Sequence, residues 1–467
     1  MTNTLPPTVP SKAGPRARQS AVGLYRHKRS PIDVGMSLLT PLLGQEFLDR
    51  HGLRDPLNRA LRFGVKHGFS AAGASTRQFK KIQTRGKKAT RLPRSTADYF
   101  DLTPDDDQRM IVETVKGFAA EILRPAARDA DDAATYPADL IARAAELGVT
   151  AIKVPEEFDG IAEQRSAVTN ALVTEALAYG DMGLALPIVA PGGVASALTH
   201  WGSADQQATY LTDFAGDNVP QACVAIAEPH PLFDPTMLKT TAVRTPSGYR
   251  LDGVKSLVPA AADAELFVLA AQFNGRPTLF IVEADTAGVT VKADRSMGLR
   301  AAGIGQVELN KVTVPLSARL GEDDAAEADY ARDYSEAIAL SRLGWAALAV
   351  GTSHAVLDYV VPYVKEREAF GEPIARRQAV AFMCANIAIE LEGLRLITWR
   401  GASRADQGLP FAREAALAKK MGSDKAMQIG LDGVQLLGGH GYTKEHPVER
   451  WYRDLRAIGI AEGVVVL

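Results

Sequence analysis

The sequence predicts an α+β fold in which helices, strands and helices follow one another along the chain, behind a basic N-terminal extension. Three observations carry this. Apolar residues recur at helical spacing across residues 97–220. Strand-like runs broken by turn residues fill 221–320. Long helical patterns with short connections occupy 321–467. No GxGxxG opens a helix after a strand and no Walker loop occurs, so a dinucleotide fold of the Rossmann type and a P-loop fold both lack support.

The extension, residues 1–96, stands apart by charge. The whole chain carries a formal −2, yet residues 1–95 hold 19 Lys and Arg against 4 Asp and Glu, so the remainder is at −17. "RHKRS" and "KKIQTRGKKATR" are its densest runs, and Lys80–Lys81 and Lys87–Lys88 lie in the second. The simplest reading is a solvated, partly disordered arm. A polybasic arm also suits an anionic surface, and peripheral membrane contact is the preferred functional alternative; nucleic acid is not expected as a partner. The composition also resembles a transit peptide, although the arm is long for one. With only Cys223 and Cys384, far apart, neither a disulfide framework nor a zinc site is indicated, and a reducing, cytoplasmic setting is expected.

The first helical region opens at "LTPDDDQRMIVETVKGF", where Thr103 reads as an N-cap, Pro104 as the first helical residue, and the acids suit the first turn. Gly183–Thr199 lies in the longest uncharged stretch. Pro187, Pro191 and Gly192–Gly193 interrupt it, and it falls short of the unbroken apolar length of a membrane span. From residue 221, "TAVRTPSGYRLDG" reads as a hairpin turning at Pro246–Gly248, and "AELFVLAAQFNGRPTLFIVEA" as a second turning at Asn274–Gly275. A small antiparallel sheet or barrel is expected. The three long helical segments after residue 321 suit an antiparallel bundle.

Two motifs then carry a family resemblance. "REAFGEPIARRQAV" (Arg367–Val380) and "VQLLGGHGYTKEHPVERWYRDLR" (Val434–Arg456), in this order after a helical and a β domain, resemble the signatures of the acyl-CoA dehydrogenase family. "MGLRAAGIGQVELNKVTVP" resembles the strand that leaves that family's β domain. The resemblance spans residue 97 to the end and implies a helical domain, a central β domain and a C-terminal four-helix bundle, with FAD, an acyl-CoA substrate, an electron-accepting flavoprotein, and a hetero- or homotetramer. In such enzymes a carboxylate in a dry pocket takes the α proton of the thioester while the β hydrogen leaves as hydride to the flavin.

By the family's spacing that base falls at Glu462, before Gly463. The alternative base position used by some members is here Ser341, before Arg342, and a serine cannot serve; Arg342 itself is expected near the carboxylate. The residues matched to the adenosine end of FAD are Arg367, Phe370, Gln378, Gln435 and Gly439. A permanently charged Arg suits a diphosphate, an aromatic suits a purine face, and Gly admits close backbone approach.

The flavin-ring end departs from the family. The pattern Thr-Glu-Pro-x-x-Gly-Ser-Asp is "AEPHPLFD" (Ala227–Asp234) here: Ala227 and Phe233 replace hydroxyls and Leu232 replaces Gly. Lys-x-Trp-Ile-Thr is "KSLVP", with Leu257 for Trp and Pro259 for Thr; the Thr that usually follows Glu-Gly is Val464, and the family's last helix has no counterpart after it. Glu228 and Asp234 survive and read as structural carboxylates that satisfy backbone donors.

Apolar residues at the ring end, beside a matched set at the adenosine end, fit a cofactor site divided between unlike subunits. Three readings therefore stay open: one subunit of a heteromeric acyl-CoA dehydrogenase sharing FAD with a partner chain, a self-sufficient homo-oligomer, and a non-catalytic relative that binds or scaffolds. His440 and His446 come with no ligand set, and no metal is expected.

Overall fold

A computed structural model describes residues 102–467 apart from 163–165, 217 and 323–326. The basic extension and its lysine pairs lie outside the described residues.

The first layer is helical: α1 (Asp106–Phe118), a π-helical turn (Ala119–Leu123), α2 (Arg124–Ala133), α3 (Leu140–Ala145), α4 (Ala167–Gly180), α5 (Met182–Trp201) and α6 (Ala204–Tyr210). Helix α1 is capped by Asp105, not Thr103. Asp105 accepts from the Gln108 amide at 2.7 Å and Gln108 returns the bond to the Asp105 amide at 3.1 Å, a reciprocal capping box that Thr103 is too far upstream to make. Ser166 and Asp181 cap α4 and α5 through the amides of Thr169 and Leu184.

The uncharged stretch that carries the two prolines is one unbroken helix, α5. Pro191 has no N–H for the carbonyl of Pro187, and the Gln221 side chain supplies that donor at 3.2 Å. By length and composition α5 is apolar enough to cross a membrane, but 94% of its most apolar window is buried inside the protein, so it is a core helix here.

The β domain is a seven-stranded sheet in the order β1-β4-β2-β3-β7-β6, with β5 paired to β4. Its strands are β1 (Ala222–Ala225), β2 (Thr241–Thr245), β3 (Gly248–Val258), β4 (Leu266–Phe273), β5 (Arg276–Glu283), β6 (Val289–Ala293) and β7 (Gly305–Val314). Both expected hairpins form, and Asn274 (φ 50°) and Gly275 (φ 78°) give the second its left-handed two-residue turn. The sheet is mixed rather than wholly antiparallel: β1 lies parallel to β4, because the β2–β3 hairpin between them returns the chain in its original sense. Strand β3 slips register between Lys255 and Val258, where Leu257 takes a positive φ of 55°.

The last layer holds α7 (Glu327–Glu366), a minimal hairpin β8–β9 (Glu368–Ala369, Glu372–Pro373), α8 (Gln378–Asp406), α9 (Ala412–Met421), a π-helical turn (Gly422–Ala426), α10 (Met427–Leu436) and α11 (Val448–Leu455). The long helix α7 crosses α4 so closely that a Cβ on Gly351 would lie 2.1 Å from the Glu175 carbonyl oxygen. After α11 one 3₁₀ turn (Arg456–Gly459) leads into Ala461–Leu467, a segment buried throughout.

Candidate active site and nucleotide pocket

Glu462 is not an exposed tail residue. It is 8% exposed, and its Oε1 accepts from Arg342 Nε at 3.2 Å and Nη2 at 3.1 Å. A second cation, Lys419 on α9, stands 3.9 Å from the same oxygen and donates to the Ala461 carbonyl. Burial pushes the Lys419 ammonium down to about 8, with Glu462 opposing that shift. The other carboxylate oxygen, Oε2, is buried without a hydrogen-bond partner. Two cations thus hold one oxygen and leave its twin free to receive a proton.

The backbone around Glu462 is built to place it. Ser341 accepts the Gly463 amide at 2.6 Å, so the residue at the alternative base position serves as an anchor for the segment that carries Glu462. Gly463 has φ 89° and sits so tightly against the end of β1 that a Cβ there would lie 1.9 Å from Ile226 Cγ1. Arg342 was legible in the sequence; Lys419 was not singled out. A helical projection would have flagged it, since Lys419 shares the buried side of its helix with Ala415, Ala418 and Gly422.

The segment matched to the flavin-ring motif keeps its carboxylates for its own backbone. Glu228 accepts from the amides of Lys239 (2.7 Å) and Thr240 (2.9 Å) and from Lys255 Nζ (2.9 Å). Burial alone would raise its pKa, but Lys255 and the two amides outweigh burial and hold it down to about 2. Asp234 accepts from the Thr236 amide and hydroxyl, both at 2.8 Å. The substituted positions offer a polar ligand little. Leu232 points into solvent, Phe233 packs edge-on against His230, and the Pro259 carbonyl is taken by Cys223 Sγ at 2.8 Å. These residues do not fit the ring half of FAD by the donors the family uses.

The nucleotide-end residues do converge. Arg367, Phe370, Gln435 and Gly439 line one cavity of about 570 Å³ between the β8–β9 hairpin, the start of α8 and the end of α10. Gln378 begins α8 beside it, between the lining residues Arg377 and Ala379, but is not itself in the lining. Phe370 and Gly371, with φ of 57° and 79°, form the hairpin turn and hold the Phe370 ring 94% exposed. Arg367 makes no ion pair among the described residues and is left available to an anion. Added Cβ atoms at Gly438 and Gly439 would meet nothing within 4 Å, so the floor is open. The donor set and the open floor fit the adenosine diphosphate half of FAD. At the rim, Tyr363 engages His440 Nδ1 at 3.1 Å and Tyr359 engages His446 Nδ1 at 2.7 Å. No group of three or more His, Cys, Asp or Glu side chains suited to a metal occurs among the described residues.

Known proteins agree with this architecture. Residues 105–217, 223–312 and 332–465 match the N-terminal, middle and C-terminal domains of acyl-CoA dehydrogenase. An acyl-CoA dehydrogenase of Bacillus subtilis (strain 168) is 31% identical over 364 residues, 76% of this chain and 94% of that one. Butyryl-CoA dehydrogenase from Megasphaera elsdenii superposes with a TM-score of 0.71 at 28% identity, covering 78% of this chain and 96% of that one. A glutaryl-CoA dehydrogenase from Mycobacterium smegmatis, solved in complex with FADH2, gives a TM-score of 0.68 at 26% identity over 76% and 90% of the two chains. The chain belongs to the acyl-CoA dehydrogenase family.

Proposed function

We propose that this chain is one subunit of a heteromeric acyl-CoA dehydrogenase, lending its nucleotide pocket to an FAD whose ring is held by a partner chain. The observation that carries this is the contrast between the two half-sites. The Arg367–Phe370–Gly439 cavity is open and equipped for an adenosine diphosphate, while the ring-facing segment spends its polar groups on its own backbone. FAD, when bound, supplies the hydride acceptor. An acyl-CoA thioester is the proposed substrate and a flavoprotein the proposed electron acceptor.

Glu462 favours a second reading. A buried carboxylate with one unpartnered oxygen is what α-proton abstraction needs, and it argues for a self-sufficient homo-oligomer whose ring pocket relies on backbone groups. A further feature supports assembly in either case. Phe382, Ile389 and Leu396 recur every seven residues along α8 and are 61%, 68% and 53% exposed, an apolar stripe suited to a neighbouring subunit. For localisation, a cytoplasmic setting with peripheral membrane contact through the basic extension stays a proposal.

Counting flavin tests the main reading. The chain purified alone should release well under one FAD per chain on denaturation, and co-expression with its partner should restore it. One FAD per chain alone would overturn the divided site in favour of the homo-oligomer, and Glu462→Gln should then lower turnover by several orders of magnitude.

A further inference from the structure

His440 lines the nucleotide cavity together with Arg367 and Arg377, and a cluster of aromatic side chains holds it there. Its imidazole stacks on that of His446, with ring centroids 5.7 Å apart and planes 21° apart. His446 meets the Tyr359 hydroxyl at Nδ1 and lies edge-on to the Tyr359 and Tyr363 rings. Tyr359 and Tyr363 both belong to α7, so the turn that carries His440 is tied to the end of the helix that leads into Arg367.

The hydrogen bonds decide which nitrogen of His440 a ligand can meet. The Tyr363 hydroxyl has one proton and donates it to the Leu437 carbonyl at 3.4 Å. Towards His440 Nδ1, at 3.1 Å, the same hydroxyl is then the acceptor, which assigns the proton of the neutral ring to Nδ1. Nε2 has no partner among the described residues and in the neutral ring carries only a lone pair. A neutral His440 therefore has no N–H left for a phosphate. A protonated one offers an N–H and a positive charge at the same atom.

Resting on the proposed nucleotide role of this cavity, we propose that His440 is a further contact to the bound diphosphate, made when its ring is protonated, so that the cavity grips the nucleotide more tightly in mild acid. The groups facing His440 are Tyr363 from α7, His446 from the stretch before α11, and Arg367 and Arg377 from the hairpin and the approach to α8. Arg377 is paired with Glu372 at 3.2 Å, and Lys444, beyond the turn, with Asp132. Arginine holds its charge throughout, and histidine is the side chain that changes charge between pH 5 and 8. The two stacked imidazoles lie too close to carry two charges at ease, so one proton suits the pair, and the ring that lines the cavity takes it beside an anion.

Titration calorimetry on the full chain with ADP-ribose tests this, because the two phosphates of that probe each keep one charge from pH 5.5 to 8. The native chain should bind it at least about fivefold more tightly at pH 5.5 than at pH 8. His440 is exposed, so its replacement leaves the fold intact, and His440→Gln should bind equally at both pH values. His446→Gln should keep the ratio. Tyr363→Phe gives a second reading: without the hydroxyl as acceptor the neutral ring can carry its proton on Nε2, so binding at pH 8 should strengthen and the ratio shrink. No ratio in the native chain, a ratio that survives His440→Gln or Tyr363→Phe undiminished, or one lost with His446→Gln overturns the proposal and leaves the nucleotide reading standing. Failure of ADP-ribose to bind at either pH overturns the two together.

Discussion

Glu228 shows how a residue can outlast the motif around it. It ties Lys239, Thr240 and Lys255 together inside the β domain, a task that needs a charged carboxylate. Its folded value, about 2, lies below its ordinary 4.5, so its contribution to stability is present above about pH 4.5 and is lost as pH falls towards 2. Lys255→Met would strand the carboxylate in the interior, and the expected loss is about 3–5 kcal/mol at pH 7. The gap between native and variant should narrow as the medium is acidified from pH 5 towards 3, because a protonated Glu228 no longer needs its cation. Urea unfolding at several pH values measures both effects, and a gap that is constant with pH would sink the assignment. At this scale the sequence reading reached the carboxylates, Glu462, Glu228 and Asp234, because motif spacing marks them. It passed over Lys419, whose importance comes from where helices and the final segment cross rather than from any local pattern.

At the scale of elements, helical periodicity and hairpin signals told most of the story, and α5 shows where they failed. Two prolines in one run read as breaks because a local rule cannot see Gln221, 30 residues beyond Pro191, supplying the missing donor. Glycines teach the same lesson about context. Gly351 on α7 meets the backbone of α4, with the Tyr179 amide nitrogen as well as the Glu175 carbonyl within 3 Å of where its Cβ would stand. Gly351→Ala must therefore spread the two helices, and a loss of about 1–3 kcal/mol is expected. Gly117, in the last turn of α1, has nothing within 4 Å of its Cβ position. The same substitution there should stabilise by up to about 1 kcal/mol through helix propensity alone. Thermal melts of the two single variants should move in opposite directions; movement in the same direction would mean that the α4–α7 contact is looser than its geometry.

For the whole molecule, the three-layer order was legible because each layer has its own period, and the contrast between the two half-sites was legible because the departures from the family pattern gather in one of them. The burial of Val464–Leu467 was not, since a short apolar run has no period to tell an exposed end from a buried one. The stripe on α8 was also invisible in advance, because a long bundle helix carries apolar residues on several faces and only packing shows which face is left over. That leftover face makes the assembly testable. Ile389→Glu with Leu396→Glu places two charges on a surface where neither side chain packs into its own fold, so the melting temperature should stay within a few degrees of native. The mass in solution, read by sedimentation, should fall to a smaller assembly. If the nucleotide pocket serves an FAD anchored in a neighbouring subunit, the same double variant should also lower flavin retained by the co-expressed complex, although Ile389 and Leu396 line no part of that pocket. A smaller assembly that keeps all its flavin would show the nucleotide and ring halves to be held within one chain; unchanged mass would show that α8 faces solvent.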